Sequence, residues 1–137
     1  MEKGIDAQEI AKQLLLRGEE KLVSAEVLLE KDRIDDAISR AYYAAFLAAR
    51  GLLYLLGMSP QSQSGVVTMF GLKVVKEGLL SANIGHALNE LFEARETSDY
   101  AVIVYFTEED GIKYIEKAKE IINSIKILFE NKFQIEF

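Results

Sequence analysis

The side chains best equipped for chemistry in this chain stand together in Leu91-Phe-Glu-Ala-Arg-Glu-Thr-Ser-Asp-Tyr100. Arg95 carries a planar, always-charged fork suited to phosphate. Asp99, four residues on, can hold that fork in position, and Tyr100 offers a ring for stacking or a phenolic hydroxyl. Their setting is unusual. Ile84, Leu88, Leu91, Phe92 and Val102 recur at the three-and-four spacing of one buried helical face, and Arg95 and Asp99 fall on the same stripe. A guanidinium on a core-facing stripe is very costly to bury unless it is paired. An i,i+4 aspartate supplies such a pair. Two readings follow: a structural ion pair that locks the helix, or a site that uses the arginine.

A second group lies upstream. Arg40, Tyr43, Leu47, Arg50 and Tyr54 share one face of a helix at spacings of three and four. Two arginines interleaved with two tyrosines suit stacking on bases and pairing with phosphate. They equally suit a homodimer interface, where Tyr and Arg are enriched, or core tyrosines beside arginines that snorkel to the surface. Arg40 and Tyr43 are the candidates here for a ligand site facing Arg95.

Other chemistries find few residues. The single histidine, His86, precedes Arg95 by nine positions, about 900° of regular helix, so the two point to opposite sides. His86 shares its face with Glu90, Glu93 and Thr97, which reads as solvated surface. A di-metal carboxylate bundle needs Glu-x-x-His pairs on two helices, and one histidine cannot supply them. No metal site and no cofactor are therefore expected. With no cysteine there is no thiol chemistry and no disulfide framework. The nine glycines are scattered singly, so no phosphate-cradling loop is present.

The elements that must position these groups are helical. The chain has 137 residues, half of them apolar, with one proline and an abundance of Ala, Leu, Glu and Lys. That length suits one domain with a real core. Sixteen basic against 22 acidic residues give a net charge of −6, which argues against a duplex-DNA binder relying on bulk charge. The start lacks a basic-then-apolar signal segment, so a cytoplasmic protein is expected. Residues 41–58 are apolar nearly all round, but Arg50 interrupts them and they are short of a bilayer span, so no membrane association is expected.

Periodicity and capping signals divide the chain into four to five helices in an all-α, up-and-down bundle. The first runs over about 7–31 behind Asp6, with Ala7, Leu14, Leu15, Gly18, Leu22, Ala25 and Leu29 inward. The second covers about 35–56 and is stopped by Gly57; its Ala37, Ala41, Ala44, Ala45, Ala48 and Leu52 form a small-residue face that lets another backbone approach closely. A polar loop occupies 58–64, a third helix about 65–77, and a fourth about 84–97 or slightly beyond. Residues 101–106 read as an extended connection. Thr107 with Asp110 caps a fifth helix reaching about 131, whose stripe is Ile112, Ile115, Ile122, Ile125 and Phe129. The last six residues alternate apolar and polar, as a short strand or a frayed end would.

Ser39-Arg-Ala-Tyr-Tyr-Ala-Ala-Phe-Leu-Ala-Ala-Arg-Gly-Leu-Leu53 resembles the second helix of the HEPN domain (higher eukaryotes and prokaryotes nucleotide-binding). Ser64-Gly-Val-Val-Thr-Met-Phe70, Arg95-x-x-x-Asp99-Tyr100 and the Thr107-Glu-Glu helix fall in the order that family uses. The resemblance spans nearly the whole chain. It implies a compact helical bundle that forms a homodimer, often paired with a small nucleotidyltransferase as a toxin–antitoxin couple. Active members are metal-independent RNases that use an arginine and a histidine a few residues further on, at the dimer cleft. Arg95 matches that arginine, but positions 99–101 read Asp-Tyr-Ala. General acid–base cleavage of RNA thereby lacks its usual agent, and an aspartate held by arginine is a poor base. The resemblance thus implies a dimeric binding module for nucleotide or RNA around Arg95, Asp99 and Tyr100, with a nucleotidyltransferase as partner. A divergent RNase toxin is the alternative.

Overall fold

The computed structural model describes residues 6–103 and 105–137. Five helices follow one another: α1 (Ala7–Glu30), α2 (Ile34–Leu55), α3 (Gln63–Phe70), α4 (Ala82–Tyr100) and α5 (Glu108–Asn131). A π-helical stretch, Gly71–Val75, continues α3. The described residues contain no strand, and the molecule is an all-α bundle as its periodicity requires.

Local chemistry sets the helix ends. Asp6 Oδ1 accepts from the Gln8 amide at 2.8 Å and starts α1. The chain reverses at Asp32, whose φ of 61° is one that aspartate tolerates better than most residues. Gly57, with φ 85°, ends α2. At α5, the Thr107 amide donates to Asp110 Oδ2 at 2.9 Å and the Asp110 amide returns the bond to Thr107 Oγ1 at 3.1 Å, a complete capping box.

The centre of the bundle is α2, against which α1, α3, α4 and α5 all pack. Its Ala37, Ala41, Ala44, Ala45, Ala48 and Leu52 are wholly buried. The close approach expected of that face is real: a Cβ on Gly18 of α1 would lie 2.6 Å from the Ala44 carbonyl oxygen. None of the described helices is long and apolar enough to cross a membrane.

The structure corrects several local expectations. Ser62 Oγ accepts from the Gly65 amide at 2.9 Å, so α3 starts at Gln63 and takes Gln63 and Ser64 out of the loop. Ala7 is exposed, and the inward stripe of α1 begins at Ala11. Leu47 is buried in the bundle, whereas Arg40 and Arg50, placed on the same helical face, are exposed. Ile112 is 49 % exposed because Gly111 takes the inward position; a Cβ there would come within 2.6 Å of Leu29 Cδ1. Val102 is fully exposed, since the backbone turns extended at Ala101 and the helical register ends. The C-terminal segment is neither strand nor frayed. Ile135 is buried, its amide bonds the Phe129 carbonyl at 3.0 Å, and Phe137 stacks on Phe129.

Candidate functional site

Arg95 projects from α4 toward α2. Ile84, Leu88 and Leu91 seat this helix in the core, and Ser98 Oγ donates to the Asp35 carbonyl at 2.9 Å, tying the end of α4 to the start of α2. These anchors place the guanidinium among three tyrosine rings. Its central carbon lies 5.3 Å from the Tyr43 centroid, 5.8 Å from that of Tyr100 and 5.9 Å from that of Tyr42, within cation–π range of each.

The polar contacts are uneven. Nη2 donates to the Tyr43 hydroxyl at 2.9 Å, and Nη1 makes a long bond of 3.4 Å to Glu96 Oε2. Nε lies 2.8 Å from Asp99 Oδ2, yet its N–H is not directed along that contact, and buried Nε has no hydrogen-bond partner among the described residues. Asp99 therefore neutralises the charge without saturating the donor. The Arg95 side chain is 13 % exposed and that of Asp99 32 %. Burial opposes the Arg95 charge, but Tyr43, Asp99 and the other two tyrosines outweigh it and hold the pKa above its ordinary value. The group is a fixed cation, not a proton donor.

Behind the arginine runs a relay that the spacing of the chain does not announce. Tyr42 is wholly buried, stacked on Phe46 and tilted against Phe92. Its hydroxyl donates to Gln63 Oε1 at 3.1 Å, and Gln63 Nε2 donates to the Tyr43 hydroxyl at 3.2 Å. Burial pushes the Tyr42 phenol well above its usual range, with Arg95 pulling weakly the other way, so this ring stays neutral. Tyr42 had a readable signal: it lies on the stripe of Ile38, Ala45 and Ala49, where a tyrosine hydroxyl must find a buried partner. Gln63 had none, being one polar residue after a capping serine.

Of the residues expected at the site, Arg95, Asp99, Tyr100 and Tyr43 come together. Tyr100 closes the group from outside and is 71 % exposed. Arg40 does not join it directly: it stands exposed on α2, one turn before Tyr43. His86, Glu90, Glu93 and Thr97 form an exposed face of α4. Among the described residues no three His, Cys, Asp or Glu side chains are grouped to hold a metal ion.

The chain resembles several bacterial and archaeal proteins, including two over most of its length. A UPF0332 protein of Thermotoga maritima is 36 % identical over 115 residues, covering 84 % of this chain and 87 % of that protein. A Methanocaldococcus jannaschii protein named "Putative toxin MJ0605" is 34 % identical over 121 residues, covering 88 % and 90 %. The UPF0332 protein PH1297 of Pyrococcus horikoshii is 52 % identical over 62 residues, 45 % of this chain and 44 % of its own. The family model of the HEPN domain matches residues 11–128. With that match over a five-helix bundle centred on α2, the chain belongs to the HEPN domain family.

Proposed function

We propose that this chain is a dimeric helical binding module that takes nucleotide or RNA at Arg95 and works in a toxin–antitoxin pair with a nucleotidyltransferase. The observation that carries the ligand reading is the incomplete pairing of Arg95. Its Nη1 makes only a long 3.4 Å bond to the exposed Glu96 carboxylate, and its buried Nε has no directed partner, so the neighbours do not saturate the guanidinium. Arg95 contacts phosphate, Asp99 positions the guanidinium, and exposed Tyr100 stacks on a base. Arg40, one turn from Tyr43, extends the cationic track. Self-association is supported by the run from the end of α4: Tyr100, Val102, Ile103 and Tyr105 are 71, 100, 62 and 85 % exposed, an apolar stretch typical of a surface that meets another protein. The pairing with a nucleotidyltransferase rests on the family resemblance, and the toxin character on the names carried by two relatives.

The resemblance to active HEPN RNases supports a second reading, a divergent metal-independent RNase toxin in which Arg95 stabilises the phosphorane and Tyr100 contributes its hydroxyl. One experiment separates the two. Wild type and Arg95→Ala, matched for helicity by circular dichroism, are mixed with single-stranded RNA in EDTA, and both anisotropy and cleavage are read. Binding without cleavage, lost in the variant, is the expected result. Cleavage lost in the variant establishes the RNase. A folded wild type that neither binds nor cuts removes nucleic acid from the site.

A further inference from the structure

The proton count at Tyr42, Tyr43 and Gln63 has one solution. Tyr42 is wholly buried, so its O–H must find an acceptor inside the protein or destabilise it strongly. Gln63 Oε1, at 3.1 Å, is that acceptor. The amide therefore presents its nitrogen to Tyr43, and Nε2 donates to that hydroxyl at 3.2 Å. Arg95 Nη2, which can only donate, reaches the same oxygen at 2.9 Å. Both lone pairs of Tyr43 are thus engaged, and its own hydrogen has no acceptor among the described residues. Turning the amide over would give the Tyr43 hydrogen an acceptor but leave the buried Tyr42 hydrogen with none. Burial decides between the two: Tyr43 is only partly buried, whereas Tyr42 is wholly buried and has the greater need of an acceptor.

We propose that Gln63 is a positioning residue which, by taking the Tyr42 proton, turns the Tyr43 hydroxyl into an outward hydrogen-bond donor beside the Arg95 guanidinium, aimed at a phosphate oxygen. The inference rests on the reading of Arg95 as a phosphate site. It adds the chemistry of selection: one charged and one neutral donor converge, and a group that only accepts, such as a phosphodiester oxygen, satisfies both. The selective element thus begins on α3, a helix with no hydrogen bond to Arg95 among the described residues.

The test is the affinity of the full chain for a fluorescein-labelled oligouridylate dodecamer, read by anisotropy across a salt series. Arg95→Gln weakens binding and lowers the slope of log affinity against log salt by about 0.7, the value for one phosphate contact on a single strand. Tyr43→Phe removes a neutral donor, so affinity falls about tenfold at unchanged slope. Gln63→Met weakens binding in the same direction, also at unchanged slope. The double variant Tyr43→Phe/Gln63→Met is no weaker than Tyr43→Phe alone, because Gln63 acts through Tyr43. Wild-type affinity in both Tyr43→Phe and Gln63→Met, with the Arg95→Gln slope change present, overturns the role of Gln63 and leaves the phosphate site standing. No binding by wild type, or an unchanged slope in Arg95→Gln, overturns the phosphate reading and this inference with it. Should Tyr43→Phe melt below the assay temperature, Gln63→Met against Arg95→Gln decides alone.

Discussion

Replacing Arg95 with Met separates an arginine that locks the helix from one that serves a ligand. Methionine keeps most of the aliphatic length and packs among Tyr42, Tyr43 and Phe92, while the charge and its donors are lost. The i,i+4 pair with Asp99 is worth about 0.5 kcal/mol, since the aspartate side chain is 32 % exposed and its charge is screened. The bond to the Tyr43 hydroxyl contributes about 1 kcal/mol net, and Tyr43 keeps its bond from Gln63 when the arginine goes. The three ring contacts add about 1 kcal/mol together, because the guanidinium is only partly desolvated. Asp99 and Glu96 reach water and tolerate losing their partner. Methionine packing restores part of the total, so the net loss is about 2 kcal/mol against a folding free energy of about 5–15 kcal/mol. For 137 residues, that is a fall in Tm of about 7 °C. Differential scanning calorimetry measures it, with near-ultraviolet circular dichroism reporting the packing of the tyrosines. A loss above about 4 kcal/mol, or a variant without fixed tertiary structure, would refute the reasoning and make Arg95 a structural ion pair.

Two further substitutions and a pH series test the frame around the site. Gly18→Ala sets a Cβ 2.6 Å from the Ala44 carbonyl oxygen; overpacking a rigid backbone costs about 1–3 kcal/mol even after the gain in helix propensity, and urea denaturation will show a lower midpoint. The same change at Gly71 meets nothing within 4 Å at an ordinary helical φ of −61°, so it stabilises by about 0.5–1 kcal/mol; equal effects at the two positions would sink the close-approach argument. The hydrogen bond from the Thr107 amide holds the Asp110 carboxyl below its ordinary range, with desolvation opposing it and the Thr107 side chain and Lys113 adding to it. The unfolded chain then binds the proton more readily, so this contribution is fully present above the unfolded pKa of about 4 and disappears as pH falls through the lower folded value. Asp110→Asn flattens that acid dependence in urea midpoints taken from pH 6 down to about 2, and an unchanged profile would remove the capping box from the account.

The parts of this molecule legible in its sequence are those governed by near neighbours. The Thr107–Asp110 box and the Asp6 cap involve groups two or three residues apart, and both form as expected. The alanine face of α2 is legible for the same reason, because a period of 3.6 is a property of one helix. Arg95 and Asp99 are paired in the structure as an i,i+4 spacing requires. Expectations failed where a partner element sets the rotation. Ile112 yields the inward position to Gly111 because α1 comes too close for a side chain there. Val102 leaves the stripe because α4 ends at Tyr100.

The sequence by itself determined an all-α bundle of four to five helices, the caps of its first and last helices and the charged pair on α4, since each depends on interactions within a few residues. Only the tertiary structure decided what surrounds that pair. Tyr43 meets Arg95 across 52 positions of chain, and Gln63 meets Tyr42 and Tyr43 across 21 and 20. Contacts of that separation are set by how α2, α3 and α4 pack on one another. A hydroxyl becomes donor or acceptor there according to which neighbour is buried most deeply, and no periodicity along the chain carries that information.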